Sequence, residues 1–140
     1  MTVREQNLEN IGLLTATFKI HQTTGTDDLQ DADIGKAVSI VDDYEVGFGT
    51  SGAVLLGKLI DLTLSDADNG KRVATVQIGG VCTLPAASTV PSVGNRVVVD
   101  GSGAVKQAPV LSGYDPAGGN VARGTVINVI GTSDVVVILN

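Results

Sequence analysis

Two side chains suited to nucleophilic chemistry occur once each in this 140-residue chain, His21 and Cys82. A thiol next to an imidazole can lose its proton and attack a carbonyl, so a Cys-His centre is arithmetically possible. Cys82, however, stands on the apolar side of an alternating run, where a buried and inert thiol is expected. There is no second His or Cys for a zinc site. Serines are plentiful, but none stands in G-x-S-x-G, and any serine triad would have to use His21 as its base. No catalytic residue is assigned, and the chain reads as a non-enzyme.

The other motifs that invite chemistry read as turns. Gly47, Gly49 and Gly52 spell G-x-G-x-x-G, whose backbone amides cradle a pyrophosphate only where a helix follows, and no βαβ unit is readable here. Asp66, Asp68 and Asn69 suggest a calcium loop, but the places that need Gly and a bidentate Glu hold Lys71 and Gln77. The acidic stretch Asp27 to Asp33 reads as a solvated loop. Lys106 would suit a lipoyl- or biotinyl-type carrier if it stood at a hairpin tip, but the tip is Asp100-Gly101-Ser102-Gly103 and the lysine lies in the strand beyond. No metal site, cofactor site or cofactor is expected.

The elements that carry these residues are strands. Leu14, Ala16, Phe18 and Ile20 alternate with Thr15, Thr17, Lys19 and His21, the period-two pattern of a half-buried strand over Leu13 to His21. Gly35 to Val41 and Glu45 to Phe48 form a hairpin across Asp42-Asp43. In Ala53 to Leu64 a helix is conceivable for Ala53 to Ile60, but Gly57 and the alternation from Leu62 favour a strand. Asp66 to Gly70 then turns the chain into Val73 to Leu84, where Ala74, Val76, Ile78, Cys82 and Leu84 share one side and Thr75, Gln77 and Thr83 the other. Gly79 and Gly80 sit inside that run, as at a bulge, a barrel corner or a close backbone approach. Arg96 to Val99 and Ala104 to Lys106 form another hairpin, with Gly101 and Gly103 in its turn. After a Gly- and Pro-rich loop from Pro109 to Arg123, Thr125 to Ile130 and Val135 to Leu139 close the chain as a last hairpin. About eight short, evenly spaced strands predict an all-β protein, a small barrel or sandwich.

Composition agrees. Hydrophobic residues are 43% of the chain but aromatics only 3%, with 18 Gly and no Trp, so the core must be aliphatic and closely packed. The net charge is -6, with four basic against twelve acidic residues in 1–69 and five against three in 70–140. Nucleic-acid binders need a basic patch and stacking aromatics, both missing, so no nucleic-acid partner is expected. No stretch approaches the ~20 apolar residues of a spanning helix, and no membrane partner is expected. Residues 1–12 are polar and aperiodic without an apolar signal-peptide core, which suggests an arm on a protein made in the cytoplasm.

V-x-I-G-G-V at Val76 to Val81, V-G-x-x-V-V-V-D-G-x-G at Val93 to Gly103, R-G-T-V-I at Arg123 to Ile127 and the terminal V-V-V-I-L together resemble the capsid decoration (cement, head-stabilising) proteins of tailed bacteriophages. The resemblance spans roughly residues 35–140. It implies a β-barrel or β-tulip domain that forms a homotrimer on the outer surface of the virion, at threefold or quasi-threefold positions, bridging major capsid protein subunits. A protein that binds only the expanded lattice stabilises that state by linkage, and threefold symmetry turns weak contacts into avid ones. On this reading residues 1–24 form an extended capsid-binding arm with Val3, Leu8, Ile11, Leu13 and Leu14 as apolar anchors. Residues 25–140 form the barrel, with Gly79, Gly80, Gly101 and Gly103 as structural glycines. A non-enzymatic ligand- or glycan-binding β module of a phage tail or cell surface is the second reading. Its aromatic platform would have to come from Phe18, Tyr44, Phe48 and Tyr114.

Overall fold

The computed structural model describes residues 11–63, 72–109 and 122–140. Among the described residues eleven strands run in chain order: β1 Leu14–Ile20, β2 Gln22–Thr23, β3 Thr26–Asp27, β4 Ala37–Asp42, β5 Glu45–Gly47, β6 Gly57–Leu62, β7 Val73–Pro85, β8 Val97–Val99, β9 Val105–Gln107, β10 Thr125–Ile130 and β11 Asp134–Leu139. No α-helix occurs among the described residues, and the helical alternative for 53–60 is replaced by a loop leading into β6.

Five strands close a barrel in the order β1-β5-β4-β6-β7, with β7 returning to β1. Closure rests on a short parallel pairing of β1 with β5, Lys19 opposite Glu45 and Ile20 opposite Val46. The remaining neighbours in the ring are antiparallel. Beyond the barrel the same β7 continues into a second sheet, where residues 80–85 pair with β11, and β11 with β10. β8 and β9 form a separate hairpin over that sheet.

The 13-residue β7 is therefore a stave of the barrel in its first half and the inner strand of a second layer in its second. The change of partner falls at Gly79-Gly80. Gly80 has φ +90°, a backbone conformation that costs any other residue, and its Cα hydrogens face the Ile11–Gly12 backbone. A Cβ at Gly79 would stand 3.2 Å from the Leu14 Cβ. Bend and close approach coincide here, because the incoming chain crosses β7 where it has no side chain.

The two halves of β7 carry two core clusters. Ile20, Leu29, Val38, Val46, Leu59, Leu62, Ala74 and Val76 fill the barrel. Leu55, Cys82, Leu84, Val97, Val99, Val105, Val126, Val135 and Val137 fill the second layer. Ala37 and Val38, adjacent on β4, point to opposite faces and enter one cluster each. Leu, Val and Ala dominate both cores, which explains how a chain with so few aromatics packs to interior density.

Candidate functional site

The expected arm does not extend to residue 24. Residues 14–20 are β1, a barrel strand, and 22–23 belong to a small hairpin with β3, so the chain is part of the domain from Leu14 onward. The alternation of 14–20 is itself a barrel signature, and half of that strand faces other strands. Val3 and Leu8 lie outside the described residues. Ile11, Leu13 and Leu14 are described, and 55%, 51% and 58% of their surfaces respectively are exposed. They are carried on a segment fastened by the Val81 amide, which donates to the Ile11 carbonyl at 2.9 Å.

The turn of the β8–β9 hairpin is also not a free tip. Asp100 caps it by accepting from the Ser102 and Ala104 amides at 2.7 and 3.1 Å. The Ala37 amide donates to the Gly103 carbonyl at 2.8 Å. Gly101 and Gly103, both at positive φ, lie against Ser51 and against Lys36 and Phe48. Lys106 donates to the Ser51 hydroxyl at 2.6 Å, outside the turn. Gly47 ends β5, and Gly49 and Gly52 lie in the loop that follows, with no helix behind them. The calcium-like residues Asp66, Asp68 and Asn69, and Tyr114, lie outside the described residues.

His21 and Cys82 are not brought together. Cys82 is fully buried in the second core, while His21 sits at the end of β1 on the rim of the barrel. The imidazole Nδ1 is 2.7 Å from Asp28 Oδ2. The pair is braced by the backbone: the His21 amide donates to the Val46 carbonyl and the Asp28 amide to the His21 carbonyl. Hydrogen bonding to Asp28 raises the His21 pKa above its ordinary value against the effect of burial, helped by the fields of Asp28, Glu45 and Asp42. For Asp28, burial raises the pKa, but hydrogen bonds from His21 and Thr23 outweigh it and bring it below the carboxylate norm. Both shifts favour the charged pair.

The acidic loop expected to be solvated is instead stitched down. Thr24 and Gly25, both at positive φ, make the tight turn between β2 and β3, and Leu29 is fully buried in the barrel. Asp27 accepts from Gln22, Asp33 pairs with Lys36 at 2.9 Å, and Asp31 pairs with Arg72. Gln22 and Lys36 are near neighbours in the chain, but the Arg72 partner of Asp31 comes from 41 residues away and leaves no local signal.

Beside His21 the structure places Asp42 and Glu45, which the sequence reading passed over. They flank the Asp43-Tyr44 turn and stand directly opposite each other across the β4–β5 hairpin. One donor atom from each of His21, Asp42 and Glu45 lies within 4.8 Å of the others. A cleft of about 550 Å³ opens alongside, lined by His21, Asp28, Ile40, Phe48, Thr50 and Ala53. An acid on each side of a two-residue turn was the available signal, because such a spacing sets both carboxylates on one face.

Two further polar residues escaped the sequence reading. Gln77, assigned to the polar side of its strand, is wholly buried. Its Nε2 donates to the carbonyls of Gly79 and Val81 at 3.0 and 3.1 Å, so the side chain spans the bend in β7. Arg123, in the segment expected to be loop, forks onto the carbonyls of Leu56 and Ile78 and ties the barrel to the second layer. Its burial pushes the guanidinium pKa down from the usual value.

No protein-family model, no curated protein and no solved structure matches this chain.

Proposed function

We propose that this chain is a non-enzymatic capsid decoration protein that binds the outer surface of an assembled phage head and stabilises it by bridging major capsid protein subunits. The observation that carries the reading is the row Ile11, Leu13 and Leu14, three large apolar side chains more than half exposed at the point where the N-terminal segment reaches the barrel. Scattered single apolar residues on a surface need no explanation, but three within four positions, on a segment pinned to the bend of β7, form a preorganised contact. Motif resemblance and the aliphatic-cored barrel support the same reading. In it the barrel is the platform, the N-terminal segment is the adhesive, and trimerisation supplies avidity.

Burying three such side chains contributes about 1.5 kcal/mol or more each. Replacing Ile11, Leu13 and Leu14 together by Ser should therefore weaken binding to expanded phage heads by roughly a thousandfold. Circular dichroism and sedimentation velocity should show the fold and the oligomer unchanged. Undiminished co-sedimentation of the triple variant with the heads would remove the reading. The ligand-binding alternative is favoured by the cleft, which has Phe48 as its aromatic wall. Phe18 packs in the barrel core and Tyr44 is 78% exposed. Glycan-array binding that is lost in Phe48→Ala would support that alternative over the first.

A further inference from the structure

We infer that His21, Asp42 and Glu45 form a binding site for one divalent transition-metal ion of the zinc type, set on the seam that closes the barrel. The donor set is one imidazole and two carboxylates, which suits zinc and its neighbours better than calcium or magnesium, whose sites are built from oxygen alone. Three protein donors with a water in the fourth position make a complete tetrahedral shell. Of the three donors His21 also lines the adjacent cleft, while Asp42 is exposed to solvent.

Two independent features point to a cation. First, Asp42 and Glu45 are cross-strand partners, and like charges placed directly opposite destabilise a hairpin. Among the described residues neither forms a salt bridge with a lysine or arginine; those pairs are Lys36 with Asp33 and Arg72 with Asp31. Second, His21 is held as metal-bound histidines are held. A carboxylate, Asp28, takes Nδ1 at 2.7 Å, which fixes the ring and leaves Nε2 to donate to a metal. Donors on tetrahedral zinc stand about 3.4 Å apart, given bonds of about 2.0–2.1 Å. The side chains, now within 4.8 Å of one another, need to close by up to about 1.4 Å; Asp42 is exposed, with its Oδ1 accepting the Asp43 amide at 2.8 Å and its other oxygen left for the ion.

The position gives the ion a structural role. Lys19–Ile20 against Glu45–Val46 is the parallel pairing that completes the ring, and the ion would join the end of β1 to the β4–β5 hairpin across it. Its free energy of binding would add to the stability of the closed barrel.

Because the chain has a single histidine, its imidazole signals need no assignment. Tag-free protein, stripped with a chelator and titrated with zinc chloride, should bind one zinc per chain by calorimetry. The imidazole ¹⁵N resonances should move, and the melting temperature should rise. Asp42→Asn and Glu45→Gln should each weaken zinc binding about tenfold or more, and Asp28→Asn about 10- to 100-fold. Circular dichroism of the exposed-site variant Asp42→Asn checks that the fold survives. The proposal is overturned by no binding up to millimolar zinc, by binding that leaves the imidazole resonances in place, or by unchanged affinity in the Asp42→Asn/Glu45→Gln double variant.

Discussion

Gly80→Ala puts the bend of β7 to a quantitative test. Gly80 has φ +90°, and holding an L-residue in that region costs about 1–3 kcal/mol. The new Cβ would also meet backbone: it falls inside van der Waals contact of the Ile11 carbonyl oxygen and 2.6 Å from the Gly12 carbonyl carbon. Backbone cannot rotate away as a side chain can, so the Ile11–Gly12 segment must shift. The hydrogen bond from the Val81 amide to the Ile11 carbonyl then weakens or is lost, at about 1 kcal/mol. Overpacking adds about 1 kcal/mol or more, for a total near 3–5 kcal/mol, a large share of a domain's usual 5–15 kcal/mol. At this chain length that corresponds to a fall of about 10–20 °C in Tm. Gly94→Ala is the control, since Gly94 has the same φ of +90° with nothing within 4 Å of the added Cβ. It should show the conformational cost alone, about 1–3 kcal/mol. Urea unfolding and calorimetry of both variants measure the difference. A Gly80→Ala variant no less stable than Gly94→Ala would refute the claim that β7 bends because another backbone crosses it.

Two further outcomes follow from the same packing. Arg123→Met should destabilise by about 2–4 kcal/mol, because the carbonyls of Leu56 and Ile78 lose a charged donor; Arg123→Lys should recover only part of that, since a compact ammonium lacks the planar fork that reaches both carbonyls. Urea midpoints check both, and a lysine variant as stable as the parent would refute the bridging role. Cys82, fully buried, should resist alkylation in the native protein and react stoichiometrically once the chain is denatured; mass spectrometry reads the label, and rapid native labelling would place the thiol at the surface instead.

Much of the fold was legible because strand alternation is a local property. Leu14 to Ile20 and Val73 to Leu84 announced themselves by period, and the all-β class followed from their number and spacing. Gln77 shows where periodicity stops being informative. Period two puts it on the polar side of a half-buried strand, yet it is wholly buried, because the bend that follows turns the Gly79 and Val81 carbonyls toward it. The arm boundary failed for a related reason: isolated apolar residues at 11, 13 and 14 look alike on sequence whether they start a strand or precede one.

By itself the sequence determined the longer strands, the glycine hinge, the aliphatic cores and the want of aromatic platforms, since each depends on residues within a few positions of one another; the short β2–β3 hairpin, in a stretch that reads as loop, was not legible. Tertiary structure alone decided which strands closed the ring, that β7 would serve two layers, and that His21 would meet Asp28, Asp42 and Glu45. Those outcomes depend on the register of pairings between distant segments, which is chosen by burying both faces of β4 and both halves of β7 at once, and no local pattern encodes that choice.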